Sequence, residues 1–156
     1  MLSNSTLETN DDHVINSIAN NDKKTLKTTR NKLLSEISAM RNNKYTLLVF
    51  GKESARTFYA CLEKLGSSII TFCNNRPLNQ EIDFKEEENR LYRMLYPIRR
   101  DQELTALLED FQQHTKNIVE VCNLLSSRDD TIGYSANYLR LTARNLYELL
   151  RLFERD

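Results

Sequence analysis

Leu104, Leu108, Phe111, Thr115, Ile118, Cys122 and Leu125 recur three or four residues apart. Ile132, Ala136, Leu139, Ala143, Leu146, Leu150 and Phe153 repeat that rhythm directly afterwards. This spacing gathers one apolar stripe along an α-helix, whereas on a β-strand the same residues would be split between both faces. The polar run "SSRDD", Ser126 to Asp130, separates the two stripes. Two long stripes joined by so short a link have to be buried against each other or against further helices. Three glycines and two prolines in 156 residues are too few for a turn-rich β-architecture. The expected fold is therefore all-α, an antiparallel bundle of about four to five helices. Residues 1–10 are expected to form a disordered tail and residues 11–156 a single domain.

The same phase test resolves an ambiguity at "YTLLVFGKESART", Tyr45 to Thr57, where an apolar run meets Gly51, Lys52 and Ser54. A phosphate-binding loop needs G-x-x-x-x-G-K-[ST], so that backbone N–H groups can wrap the anion. Here the first glycine is replaced by Thr46, and Glu53 stands where the magnesium-holding hydroxyl belongs. Leu48, Gly51, Ala55, Phe58, Leu62, Leu65, Ile69 and Phe72 instead keep a helical spacing straight through the stretch. Gly51 is thus expected inside a helix of roughly residues 44–74, which tolerates a kink there, and with Ala55 it would let a neighbour approach closely.

Upstream, Asp11 or Asp12 suits the cap of a short segment carrying Val14, Ile15 and Ile18. A break is expected at Asn20 to Asp22, because a continuous helix would put Asp22 on the apolar face. Leu26, Arg30, Leu33, Ile37 and Met40, with Leu34 alongside, would form the next seam, ended by Asn42 and Asn43. Downstream, "NNRPLNQ" reads as a loop because Pro77 bars its predecessor from the helical region. Helix is expected to resume over "EIDFKEEENRLYRMLYP", with Phe84, Leu91 and Leu95 inward and Pro97 ending or kinking it. Asp101 would cap the following helix.

No constellation for catalysis emerges. His13 lies near the start, and His114 on the flank of the Leu104–Leu125 seam, where a satisfied or half-exposed histidine is expected. No H-E-x-x-H or paired E-x-x-H pattern supports a metal, so no cofactor or metal is expected. Glu86, Glu87 and Glu88 point in successive directions around a helix and read as a solvated face. Cys61, Cys73 and Cys122 show neither a pairing pattern nor C-x-x-C spacing, which suits free thiols in a cytoplasmic protein. No apolar run approaches the roughly 20 residues that cross a bilayer.

Two helical families of similar shape are not matched in their motifs. Against the H-x-x-K-G core of histidine phosphotransfer domains, "NYLRL" has Asn137 in place of the histidine and Leu141 in place of the glycine. "LKTTRNKLL", Leu26 to Leu34, echoes the Arg and Leu-Leu spacing of one class of anti-sigma regulators, without that family's tryptophan.

What remains points to contact with other proteins. On the last helix, Tyr138, Leu141, Leu149 and Leu152 add a second apolar line beside the seam, making the arc wider than the roughly 100° a surface helix needs. Either the helix is central in the bundle and that line is core, or the line is the candidate protein interface, for a partner or a second copy. Arg140, Arg144, Arg151 and Arg155 form a candidate basic face, and Lys23, Lys27 and Arg30 another. With 22 basic and 22 acidic residues, the neutral chain does not favour nucleic acid as the partner. The expected function is a non-enzymatic interaction module (an adaptor, regulator or assembly subunit). A nucleic-acid-associated regulator using the arginine face is the second reading.

Overall fold

Helix α1 spans Asp11–Arg41, α2 Thr46–Phe50, α3 Lys52–Cys73, α4 Lys85–Leu95, α5 Gln102–Ser126 and α6 Thr131–Glu154 in the computed structural model, which describes residues 11–95 and 102–154. No strand occurs among the described residues, and the fold is all-α. Helices α5 and α6 pair most extensively, while α1 packs on α3 and α5, and α3 also packs on α4 and α6. The proposed tail at residues 1–10, Pro97, Asp101, Arg155 and the side chains of Val14, Ile15, Ile18 and Lys23 lie outside the described residues.

The seams of α5 and α6 form the centre of the core. Leu104, Leu108, Phe111, Ile118 and Cys122 are buried against Ala136, Leu139, Ala143, Leu146, Leu150 and Phe153. At the turn between them, Asp130 Oδ1 accepts the Gly133 N–H at 2.9 Å, and Oδ2 accepts the Arg128 guanidinium at 2.6 Å. Asp130 thus caps α6 in the usual side-chain-to-backbone manner. Gly133 has a steric reason to be glycine, since a Cβ there would collide with the Arg128 carbonyl.

Three expectations are corrected. Helix α1 continues through Asn20 to Asp22 without the expected break. No glycine or proline interrupts residues 11–41, and three weak helix formers cost only a few tenths of a kcal/mol each, too little to end a helix. Its buried line is Thr29, Leu33, Glu36 and Met40, with Arg30 exposed and Leu26, Leu34 and Ile37 only partly covered. Helix α4 begins at Lys85 rather than near Glu81, because residues 76–84 run as a non-helical strap over α6. The strap's backbone finds its partners on that helix. Leu78 N–H donates to Ser135 Oγ and Ile82 N–H to Thr142 Oγ1, both at 2.9 Å, and Asn145 Nδ2 donates to Ile82 O at 2.9 Å.

The third correction concerns Gly51. It is not inside a continuous helix, and it brings no neighbour close, since a Cβ added there would meet nothing within 4 Å. It is the junction between α2 and α3, with φ +84° and ψ 166°, a conformation essentially reserved for glycine. On an unbroken helix Leu48 and Phe50 would lie on opposite flanks of Phe58, each about 80° away, so neither would be favoured. The junction turns Phe50 inward, with its ring 5.8 Å from Phe58 and 5.9 Å from Phe111. Leu48, placed in the seam by its spacing, is 79% exposed. The sign of one substitution follows. A mid-helix Gly51→Ala would gain about 1 kcal/mol, but the observed backbone makes it lose about 1–3 kcal/mol, read from a urea titration.

Candidate protein-binding surface

The candidate interface on α6 divides when placed on the fold. Leu149 is 3% exposed and belongs to the core, beneath a shallow depression it shares with Phe84 and Leu152. Tyr138, Leu141 and Leu152 are half-buried. The wide apolar and polar arc of α6 is needed because the strap lies along it, held by Ser135, Thr142 and Asn145. By the helical step of about 100°, Arg140, Arg144 and Arg151 fall on the opposite flank. Arg140 donates to Asn137 Oδ1 at 2.7 Å, Arg151 lies 6.0 Å from the Tyr147 ring, and Arg144 is exposed. On α1, Lys27 and Arg30 are both exposed.

A different surface is open. Helices α1 and α3 flank a groove of about 790 Å³. Leu34 and Ile37 line it from α1 and Tyr59, Ala60, Gly66 and Ile70 from α3, with Leu47 at the α2 end. Leu47 and Ile70 are more than one-third exposed, unusual for large side chains in a contiguous apolar strip. Around the α2 corner, Tyr45, Leu48, Val49 and Leu107 line a smaller depression of about 380 Å³. The five-residue helix α2 therefore sends Phe50 into the core and Leu47 and Leu48 to two neighbouring apolar hollows. The adjacent leucines were the available sequence signal, but the apparent helical seam through Gly51 concealed it.

Gly66 has an unusual environment. A Cβ built there would meet only Ile37 Cγ2, at 4.0 Å. Glycine in a helix interior costs roughly 0.5–1 kcal/mol relative to alanine. No steric contact explains it here.

The principal polar cluster lies elsewhere, between α1 and α5. Glu36 is 6% exposed, and its carboxylate accepts from Asn117 Nδ2 at 3.1 Å and meets His114 Nδ1 at 3.2 Å. Lys32 lies 3.6 Å from the same carboxylate, and Asp110 is 3.6 Å from His114 Nε2. His114 is thus a half-buried, satisfied residue. Burial pushes the Glu36 pKa up, but hydrogen bonds from Asn117 and His114 and the nearby positive charges outweigh it and hold the carboxyl below its ordinary 4.5. A depressed carboxylate stabilises the fold fully above its unfolded value and loses that contribution as pH falls through its folded value. The melting temperature should therefore drop on acidification from about pH 6 to about pH 3, and drop less in Glu36→Gln. An equal drop in both would remove Glu36 from the acid limb.

The three cysteines are free thiols. Burial pushes Cys61 and Cys122 up to about 12 and Cys73 to about 11, far from nucleophilic thiolates. Among the described residues, no group of three or more His, Cys, Asp or Glu side chains is placed to hold a metal ion. No described helix is long and apolar enough to cross a membrane. The chain matches no family model, no curated protein and no solved structure.

Proposed function

We propose that this protein is a non-enzymatic interaction module, an adaptor, regulator or assembly subunit of the cytoplasm, that binds another protein through the α1–α3 groove and the α2 corner. The observation carrying the reading is the exposure of Leu47 and Leu48 beside two apolar hollows, on a short helix whose Phe50 is anchored between Phe58 and Phe111. Large apolar side chains held on a rigid mount form a binding surface more often than a random surface does. Glu36, His114 and Asn117 engage one another and line none of the grooves described, which supports a module without catalysis. Three free thiols favour a reducing compartment.

The test is affinity capture from extract, with and without nuclease, using the wild type, Leu47→Asp/Leu48→Asp, and Arg144→Glu/Arg151→Glu. The expected result is a protein set retained by the wild type and the arginine variant but lost with the leucine variant, whose melt stays unchanged. Loss only with the arginine variant, or co-purified nucleic acid sensitive to it, would favour a nucleic-acid-associated regulator and overturn this reading.

A further inference from the structure

The charge around the groove is not that of the chain. Its rim carries Arg41, Lys52 and Arg56 against Glu63. A second groove of about 630 Å³, between α3 and α4, shares Arg56 and Ala60 with the first and adds Arg90, Arg93 and Glu53. The joined surface therefore sets five cations against two carboxylates on a protein whose net charge is zero. Among the described residues, Arg41, Lys52, Arg90 and Arg93 have no carboxylate within salt-bridge distance. Arg41 instead stacks its guanidinium 4.0 Å over the Tyr59 ring, at the edge of the apolar strip. Arg56 meets Glu53 at 3.8 Å, with both side chains largely in water.

We propose that the α1–α3 groove receives an acidic amphipathic helix from a partner protein. The claim rests on the interaction reading above and specifies its partner. Three observations select this occupant. The groove floor is apolar and lies between two helices, so it accepts the apolar stripe of a third helix. No strand edge exists among the described residues, so an extended peptide would find no backbone ladder to join, whereas a helix satisfies its own backbone groups. The cationic rim selects carboxylates on the flanks of that stripe and rejects lysines. Lys52 and Ile70 mark the groove's two ends along α3, a span of roughly 27 Å or five helical turns.

Gly66 then gains a reason. Its missing side chain leaves the floor of the groove open for a docking helix, in a place where the fold itself has room for more atoms. Gly66→Ala should raise the melting temperature, because the helix loses its glycine without meeting a clash. A larger side chain at the same position should fill the groove.

The experiment uses fluorescence anisotropy with three labelled synthetic helices of about 18 residues. One has leucines at helical spacing flanked by glutamates, one has the same leucines flanked by lysines, and one is a scramble of the acidic peptide. The acidic amphipathic peptide should bind saturably, at least tenfold more tightly than the lysine peptide, and the scramble should not bind. Gly66→Leu should abolish that binding with its melt retained. Lys52→Glu/Arg56→Glu, changed only at exposed positions, should weaken the acidic peptide at least tenfold and improve the lysine peptide. Equal binding of both charged peptides, no binding of the acidic one, or indifference to both variants would overturn the proposal. If those results accompany a captured protein set that is still lost with Leu47→Asp/Leu48→Asp, the interaction reading stands and only the partner's chemistry is wrong. A wild-type dimer in sedimentation that Gly66→Leu dissociates would place a second copy in the groove and overturn the proposal in that direction.

Discussion

Leu149→Asp is expected to unfold the protein or leave it close to its unfolding threshold. The leucine is nearly inaccessible, one turn from Leu146 and Phe153, and shares its immediate surroundings with Phe84 at the end of the strap. Removing it forfeits roughly 2–3 kcal/mol of apolar burial. An aspartate there also places a carboxylate where it has no partner, and the two costs together reach about 4–5 kcal/mol or more. That is a large fraction of the roughly 5–15 kcal/mol holding a domain of this size. Leu152, one turn over, reaches the surface, and Leu152→Asp should cost about 1 kcal/mol or less. Circular-dichroism melts of the two variants distinguish the cases. If both melts stay intact, the strap does not cover α6 and the second apolar line is free after all.

The contrast between those two leucines shows what the chain disclosed in one dimension. The seams of α5 and α6 were legible because nearly every position facing their partner is apolar and no glycine or proline shifts the phase before Phe153. The wide arc on α6 was legible too, but not its use. Its covering element is an extended strap whose attachment depends on Ser135, Thr142 and Asn145, ordinary polar residues on a helix until another segment's N–H groups and carbonyl meet them. Glu36 was invisible for a similar reason. Its place on the buried line of α1 becomes acceptable only because His114 and Asn117 arrive from a helix about 80 residues away. At Gly51 the difficulty was phase. A periodic pattern continues through a junction unnoticed when the residues on either side can be assigned to either flank. The groove between α1 and α3 is the hardest feature to read, because it consists of space left unfilled.

The largest departure from the sequence pattern is Glu87, and it sets up a double-mutant cycle with an unequal expected outcome. The run Glu86, Glu87, Glu88 reads as a solvated acidic face, and Glu86 is exposed as expected. Glu87 turns inward, 3% exposed, and accepts the Lys64 ammonium at 2.7 Å and 3.1 Å on its two oxygens, pinning α4 to α3. The hydrogen bond to Glu87, with nearby negative charge, raises the Lys64 amine above its ordinary value, outweighing its slight burial. Lys64→Met would remove the partner and leave a carboxylate inside the protein. A fully buried pair broken on one side costs about 3–5 kcal/mol. Here the lysine end reaches water, so about 2–3 kcal/mol is expected after allowing for solvent screening. Glu87→Leu should cost less, because the stranded lysine can extend into solvent while the leucine joins Leu91 against the core. The double variant Lys64→Met/Glu87→Leu should recover most of the loss, since two apolar side chains of similar volume replace the pair without stranding a charge. Urea titrations of the four proteins give the coupling directly. Equal, small effects from both single variants would return Glu87 to the solvated face; a lysine variant weaker than the double one, and weaker than the glutamate variant, places the carboxylate inside, where α4 is held against α3 by charge.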